Sequence, residues 1–295
     1  MSQLRILLGE RETAVNQHGI IRRRVSMNPT RTLFSRMNGL ASRRLLNDGN
    51  AIPLVGFGVY NTRPGKETEQ AVLWALDAGY RHIDTATIYE NEKSVGDALK
   101  KTNVPRDEIF VTTKLWDTSQ GYQEAKAAFE KSITALGLDY IDLYLVHSPS
   151  PGKKLRLESW KALEEIQKSG KVKSIVTMPA VNQIEISPYL ARTEIEKFCK
   201  EHGILLEAFS PLTMGEKLKD DRLVAIAKKY NKTTAQILIR WSIQHGYVPL
   251  PKSVHKERIE SNAQVFDFEI SEEDMKQLDK FDEYFVTEWD PTRYD

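Results

Sequence analysis

Apolar residues along this chain gather in short runs separated by stretches with helical spacing. Eight runs of four to six residues stand out: Leu54–Val59, Tyr80–Asp84, Ile109–Thr113, Ile141–Val146, Val172–Val176, Ala180–Ile184, Ile204–Phe209 and Tyr247–Leu250. Their length and β-branched content predict strands. Between them, apolar positions recur three and four residues apart, which predicts helices. These are Thr68–Ala78, Ser94–Lys101, Tyr122–Leu136, Leu157–Ser169, Arg192–His202, Asp221–Tyr230 and Thr233–His245. Alternation of this kind implies an α/β fold with a parallel sheet, closed as a (β/α)8 TIM barrel or open and doubly wound. Ahead of the first run, Leu45-Leu46, Asn47-Asp48-Gly49-Asn50 and Ala51-Ile52-Pro53 predict a short hairpin, because Asp-Gly supplies the positive φ a tight turn needs.

One spacing breaks the pattern. The fifth and sixth runs start at 172 and 180, with only Thr177, Met178 and Pro179 between them. A parallel crossover takes a dozen residues or more, usually with a helix. The two runs therefore pair antiparallel, form one distorted run, or have lost a helix from between them.

Composition adds a boundary. The 295 residues carry 42 Lys and Arg against 41 Asp and Glu, a net charge of +1. Residues 1–44 hold nine Arg, no Lys and only Glu10 and Glu12, a balance of +7, which leaves 45–295 at −6. The first segment lacks sustained apolar periodicity and is expected to be a disordered basic extension. It could be an organelle transit peptide, a basic arm, or an upstream extension with Met27 or Met37 as the working start. The body is expected to be cytoplasmic, or mitochondrial if the extension is a transit peptide. Near-zero net charge gives no reason to expect nucleic acid as a partner. No apolar stretch is long enough for a membrane span. The single cysteine, Cys199, excludes an internal disulfide and a Cys-rich zinc site, and no metal is expected. It falls with Ile195, Phe198 and His202 on an apolar helix stripe, which predicts core packing.

The chemistry gathers at the C-terminal ends of strands, where parallel barrels place their active sites. Asp84 ends the second run, with Tyr89 in the loop beyond it; Lys114 closes the third and His147 the fourth. Each has a bland reading as a cap, a loop anchor, a solvated cation or a rim histidine. Strand alternation nevertheless sends Asp84, Lys114 and His147 toward one opening, with His82 deeper on the face of Asp84 as packing. The set suits carbonyl reduction. A tyrosine with a pKa of about 10 is a poor acid near neutrality, and a neighbouring ammonium lowers that value. Lys114 can supply the charge, Asp84 can hold Lys114, and His147 can orient the carbonyl oxygen. No side chain supplies a hydride, so a nicotinamide cofactor is implied.

The cofactor signal is not a Rossmann one. Gly56-Phe57-Gly58 is followed by Asn61 where a third glycine would stand, and no GxxxxGK[ST] run occurs. After the eighth run come Pro251-Lys252-Ser253-Val254 and then Arg258, in the loop region where barrels commonly bind phosphate.

These residues resemble the aldo-keto reductases, and within them the fungal-type monomeric carbonyl reductases. The motifs are Gly-Phe-Gly-Val-Tyr (56–60), Gly-Tyr-Arg-His-Ile-Asp-Thr-Ala (79–86) leading to Tyr89 and Asn91-Glu92, Thr-Lys-Leu-Trp (113–116), Asp-x-Tyr-Leu-Val-His (142–147), Val-Asn-Gln-Ile-Glu (181–185), Ala-Phe-Ser-Pro-Leu (208–212) and Pro-Lys-Ser-Val (251–254). The resemblance covers about residues 45–295. It implies a (β/α)8 barrel capped by the N-terminal hairpin, with NADPH or NADP+ extended across the rim. It places the catalytic tetrad on Asp84, Tyr89, Lys114 and His147. Cofactor positions fall on Gly58, Val59, Tyr60, Asp84, Gln183 (carboxamide), Phe209 (stacking), Ser210, Pro211, Leu212, Lys252, Ser253, Val254, Arg258 and Asn262. Tyr60, Trp116 and His147 fall on the substrate pocket. It implies a monomer acting on a small carbonyl compound.

Two departures follow from the same resemblance. The family's strand five runs through Gly-Val-Ser-Asn into a helix, and neither the Ser-Asn pair nor that helix is present here. The short spacing thus corresponds to a deletion of about twenty residues near 176–180, since a crossover needs a dozen or more. The barrel is expected to be incomplete around strand and helix five. Ser148 stands where most members carry Trp or Phe, as in fungal members. Three classes stay open: an active reductase, an impaired splice or gene-model variant of one, and a non-enzymatic binding protein on the same fold.

Overall fold

A computed structural model describes residues 39–175 and 179–293. The expected hairpin forms and begins two residues early. Strand β1 (Arg43–Leu45) pairs antiparallel with β2 (Ala51–Pro53). Gly49, at φ +90°, turns the chain, and the Asp48 carboxylate accepts from Asn50 N at 2.9 Å. Arg43 and Arg44, counted above with the extension, thus belong to the folded body: Arg43 donates to Glu108 O at 2.6 Å and Arg44 to Gly246 O. Residues 39–42 of the expected disordered extension are also described, Ser42 N donating to Gly39 O at 3.0 Å, and residues 1–38 lie outside the described residues.

Eight parallel strands follow. Strands β3 (Phe57–Gly58), β4 (His82–Asp84), β5 (Phe110–Leu115), β6 (Ile141–Val146) and β7 (Val172–Ser174) form one sheet in chain order. Strands β8 (Val181–Glu185), β9 (Leu205–Phe209) and β10 (Val248–Pro249) form a second. On one side the sheets meet: Gly56 N donates to Pro249 O at 3.0 Å and Gly58 N to Pro251 O at 3.2 Å. Gly56 permits this approach, since a Cβ there would collide with the Leu250 side chain just after β10 and stand 2.7 Å from His82 Nδ1. On the other side no ladder joins β7 to β8 among the described residues. The fold is α/β, with the strand order of a (β/α)8 barrel and a break where the spacing was short.

Helices α1 (Lys66–Asp77), α2 (Glu92–Lys101), α3 (Tyr122–Leu136) and α4 (Lys153–Lys168) follow β3 to β6. Helix α5 (Thr193–Glu201) follows β8, and α6 (Asp221–Tyr230) and α7 (Thr234–His245) follow β9. Between β7 and β8 no helix occurs among the described residues. Two helices escaped the periodicity reading, α8 (Lys256–Ala263) and α9 (Glu272–Leu278). Helix α8 buries only Ile259 and Asn262, too little apolar surface to show a repeat. No described helix is long and apolar enough to cross a membrane.

Burial follows the break. One apolar layer packs β3–β7 against α1–α4, centred on Leu76, Phe129, Tyr144 and Leu163. A second packs β8 and β9 against α5–α7, centred on Ile186, Leu206 and Trp241 and including Cys199. The hairpin closes the N-terminal ends of the strands, where Leu46 and Ile52 meet Phe110, Leu143, Val181, Leu205 and Val248. It also straddles the break: Asn47 Nδ2 donates to Pro179 O at 3.2 Å, and Asn50 Nδ2 to Ser174 Oγ at 3.0 Å.

Candidate active site

At the opposite, C-terminal ends of the strands lies a cleft of about 1210 Å³. Asp84 is the last residue of β4, Lys114 stands near the end of β5, and His147 directly follows β6. His147 N donates to Leu115 O at 3.0 Å, so the ladder carries it to the rim. Tyr89 ends a single 3-10 turn, Thr87–Tyr89, whose Thr87 Oγ1 donates to Lys114 O at 2.9 Å. Buried Asn91 ties this loop to β3, donating to Val59 O at 2.9 Å and accepting from Thr85 Oγ1 at 2.7 Å.

Asp84, Lys114 and His147 from the strands, and Tyr89 from the turn after β4, all line this cleft. Lys114 Nζ donates to Asp84 Oδ1 at 2.6 Å and to Thr85 O at 2.8 Å, and lies 3.4 Å from the Tyr89 hydroxyl. The Lys114 and Asp84 side chains are 3% and 5% exposed, so this ion pair is desolvated. The His147 ring stands between those of Tyr89 and Trp116, with centroids 5.7 and 5.1 Å away.

Burial governs the protonation states. It raises the Tyr89 pKa; the Lys114 ammonium pulls it down, as expected, but burial prevails and the phenol stays above its ordinary range. The expected net lowering is therefore not found in the protein alone. Burial works against the Lys114 charge, but Asp84 and then Tyr89 outweigh it, and the ammonium is held above its ordinary value. Burial, and then Lys114, pushes His147 down to about 3, so near neutrality it is an uncharged imidazole. The unit therefore holds a protonated phenol, an adjacent cation and a neutral N–H donor.

The cleft runs from this unit to Lys252, Ser253, Val254, Arg258 and Asn262 after β10. Gly58, Tyr60, Trp116, Gln183, Phe209, Ser210, Pro211 and Leu212 line it between. Val59 does not. It is fully buried, because alternation turns its side chain into the layer shared with α1, away from the cleft. The loop after β9 is strained, with Ser210, Thr213 and Met214 all at positive φ. At the far end, Lys252 and Arg258 offer two cations beside the start of α8, and His255 N donates to Ser253 Oγ at 3.1 Å. Cations and a hydroxyl beside a helix start are the donor set an anionic phosphate requires. With a proton donor at one end and phosphate donors at the other, the cleft fits an extended dinucleotide.

Sequence reasoning missed five contributors. Glu207 on β9 is fully buried beneath the tetrad and accepts from Gln183 Nε2 at 3.1 Å. Glu288 and Trp289, near the chain's C-terminal end, line the cleft, and Tyr60 Oη donates to Glu288 Oε2 at 3.3 Å. Trp160 and Arg156 line it from α4. Glu207 had a signal, a lone acid among the apolar residues of β9; the C-terminal residues had none.

Comparison with known proteins gives the family of the chain. The model of the Aldo/keto reductase family matches residues 55–283. A 9,11-endoperoxide prostaglandin H2 reductase of Trypanosoma cruzi is 46% identical over 258 residues, covering 81% of this chain and 90% of that protein. A glyoxal reductase of Bacillus subtilis is 44% identical over 251 residues, covering 79% and 90%. Among solved structures, a Bombyx mori aldo-keto reductase in complex with NADP superposes with a TM-score of 0.78 at 33% identity, covering 86% of this chain and 97% of that one.

Proposed function

Because the chain belongs to the aldo/keto reductase family, whose members use NADP(H), we propose that it reduces small aldehydes and ketones to alcohols, with Tyr89 as general acid. The convergence of Lys114 on Asp84 and Tyr89 inside a cleft that ends in phosphate donors carries this reading. The bound nicotinamide supplies the hydride. Tyr89 holds the proton destined for the carbonyl oxygen, and Lys114, 3.4 Å away, stabilises the phenolate that forms. Asp84 fixes Lys114 and offsets its buried charge. His147, uncharged, offers an N–H that orients the carbonyl oxygen. Tyr60 and Trp116 wall the pocket, and Phe209 would stack on the nicotinamide. Ser210, Pro211 and Leu212 would run along the cofactor, and Gly58 would leave its backbone open to it. Lys252, Ser253, Val254, Arg258 and Asn262 would hold the adenosine phosphate.

Every residue given a role lies between Gly58 and Asn262, so one chain would build the whole site without the N-terminal extension. The single cysteine supports a reducing compartment such as the cytoplasm. Ser148 after His147 supports a fungal-type relationship. The direct passage from β7 to β8 supports loss of about twenty residues, since a parallel crossover otherwise takes a dozen or more. The assembled tetrad favours an active enzyme over a binding protein, and the break favours one of reduced stability. An assay of NADPH consumption with a broad panel of aldehydes and ketones tests the reading. Turnover of several small carbonyls supports it; none, from a folded protein, refutes it.

A further inference from the structure

Beneath the tetrad lies a carboxyl group that the proposed reaction does not use. Glu207 stands in the middle of β9 and is fully buried. Its Oε2 accepts from Gln183 Nε2 at 3.1 Å, and the same nitrogen donates to Asp84 Oδ2 at 2.9 Å. Its Oε1 has no hydrogen-bond partner among the described residues and lies 3.7 Å from His82 Nε2. That ring nitrogen is paired with Thr112 Oγ1 at 2.9 Å.

A glutamine amide has two N–H donors on one end and a carbonyl acceptor on the other. Here two carboxyl groups flank the nitrogen, so both donors are engaged inward. The flipped amide would set its oxygen against Asp84 Oδ2 and take that oxygen's donor away, a costly arrangement in a buried site. Asp84 alone would hold one donor; Asp84 and Glu207 together fix which end faces inward. The carbonyl end is thereby left to the cleft, which Gln183 lines within reach of the tetrad.

We propose that Glu207 is a positioning residue for cofactor binding: with Asp84 it orients the Gln183 amide so that its carbonyl oxygen accepts an N–H from the nicotinamide carboxamide. The proposal rests on the reading that a nicotinamide binds beside Tyr89. The electrostatics agree. Burial, and then the nearby Asp84, pushes the Glu207 carboxyl up to about 8. Near neutrality it is mostly uncharged, keeps an oxygen for Gln183, and leaves the negative charge on Asp84, where Lys114 needs it.

The test measures binding rather than turnover. NADP+ and its 3-acetylpyridine analogue, which carries a methyl group in place of the carboxamide nitrogen, are titrated against the full chain by tryptophan fluorescence. The wild type is expected to prefer NADP+ by about tenfold, one good hydrogen bond. Glu207→Met should reduce that preference to about twofold or less, and Glu207→Gln, whose amide oxygen still accepts, should retain most of it. If Glu207→Met does not fold by circular dichroism, Glu207→Leu takes its place with the same expected loss of preference. An unchanged preference in the folded methionine or leucine variant, or loss of preference in Glu207→Gln, overturns the positioning role while leaving the reductase reading intact. Failure of the wild type to bind NADP+ overturns both.

Discussion

Lys114 Nζ lies 2.6 Å from Asp84 Oδ1, with both side chains almost wholly shielded from solvent. A pair of this kind is costly to break from one side, because the remaining charge is left buried and uncompensated. Asp84→Asn is therefore expected to lower the unfolding free energy by about 3–5 kcal/mol, read from urea denaturation. It should also slow turnover, since Lys114 loses its anchor beneath Tyr89. A stability change below about 1 kcal/mol, the worth of a surface pair, would show that solvent reaches the pair.

The buried groups predict opposing pH limbs in stability. Glu207 is held protonated in the folded chain, its pKa pushed up to about 8 by burial and Asp84, against 4.5 for a free glutamate. Its contribution is full below about 4.5 and is lost as pH rises through about 8, because the unfolded chain releases the proton first. His82 and His147 run the other way: burial, and then Lys114, pushes each down to about 3 from 6.5. Their contribution is full above about 6.5 and is lost as pH falls toward about 3, because the unfolded chain takes up protons first. Denaturant midpoints measured across this range should show that Glu207→Gln loses less stability than the wild type between about pH 5 and about pH 8. Identical slopes would place Glu207 in contact with water.

Cofactor choice should depend on the far end of the cleft. Each charge-assisted hydrogen bond to a phosphate contributes about 1.5–3 kcal/mol, so Arg258→Ala or Lys252→Ala is expected to weaken NADPH by about 10- to 100-fold. NADH, lacking the 2′-phosphate, should bind either variant as it binds the wild type. Fluorescence titration with both nucleotides distinguishes the cases; equal loss for both would mean that these side chains support the loop rather than read the phosphate.

The break between β7 and β8 should cost stability. Trp160 and Ile195, both half-buried, line the cleft beside it, apolar surface that a helix in this position would cover. Burying such surface stabilises by about 25 cal/mol per Å². Inserting a helical segment after Ile175 should raise the melting temperature and reduce binding of a hydrophobic dye. If neither changes, the hairpin, through Asn47 and Asn50, already closes the barrel well enough.

Much of this architecture was legible before any coordinates. Strand period placed Asp84, Lys114 and His147 on one rim, and the eight-residue spacing located the break, because both are local properties of the chain. Three things were not legible. Val59 was assigned to the cofactor with its neighbours Gly58 and Tyr60, although alternation turns it inward. Helix α8 is too polar to show a stripe. Glu288 reaches Tyr60 across 228 residues of sequence, and no local pattern encodes such a contact. Glu207 was visible as an acid within a buried strand, but its meaning needed Gln183 and Asp84 in place around it.

The central claim is that Tyr89 gives the proton in carbonyl reduction, and the direct measurement is steady-state NADPH consumption with a small aldehyde by the wild type and Tyr89→Phe, alongside NADPH affinity for each. Loss of a positioned general acid costs about 10²- to 10⁴-fold, so the phenylalanine variant should lose that much in kcat while binding NADPH within about twofold of the wild type. A variant that turns over as fast as the wild type, or a wild type that binds NADPH and reduces no carbonyl, would contradict the account.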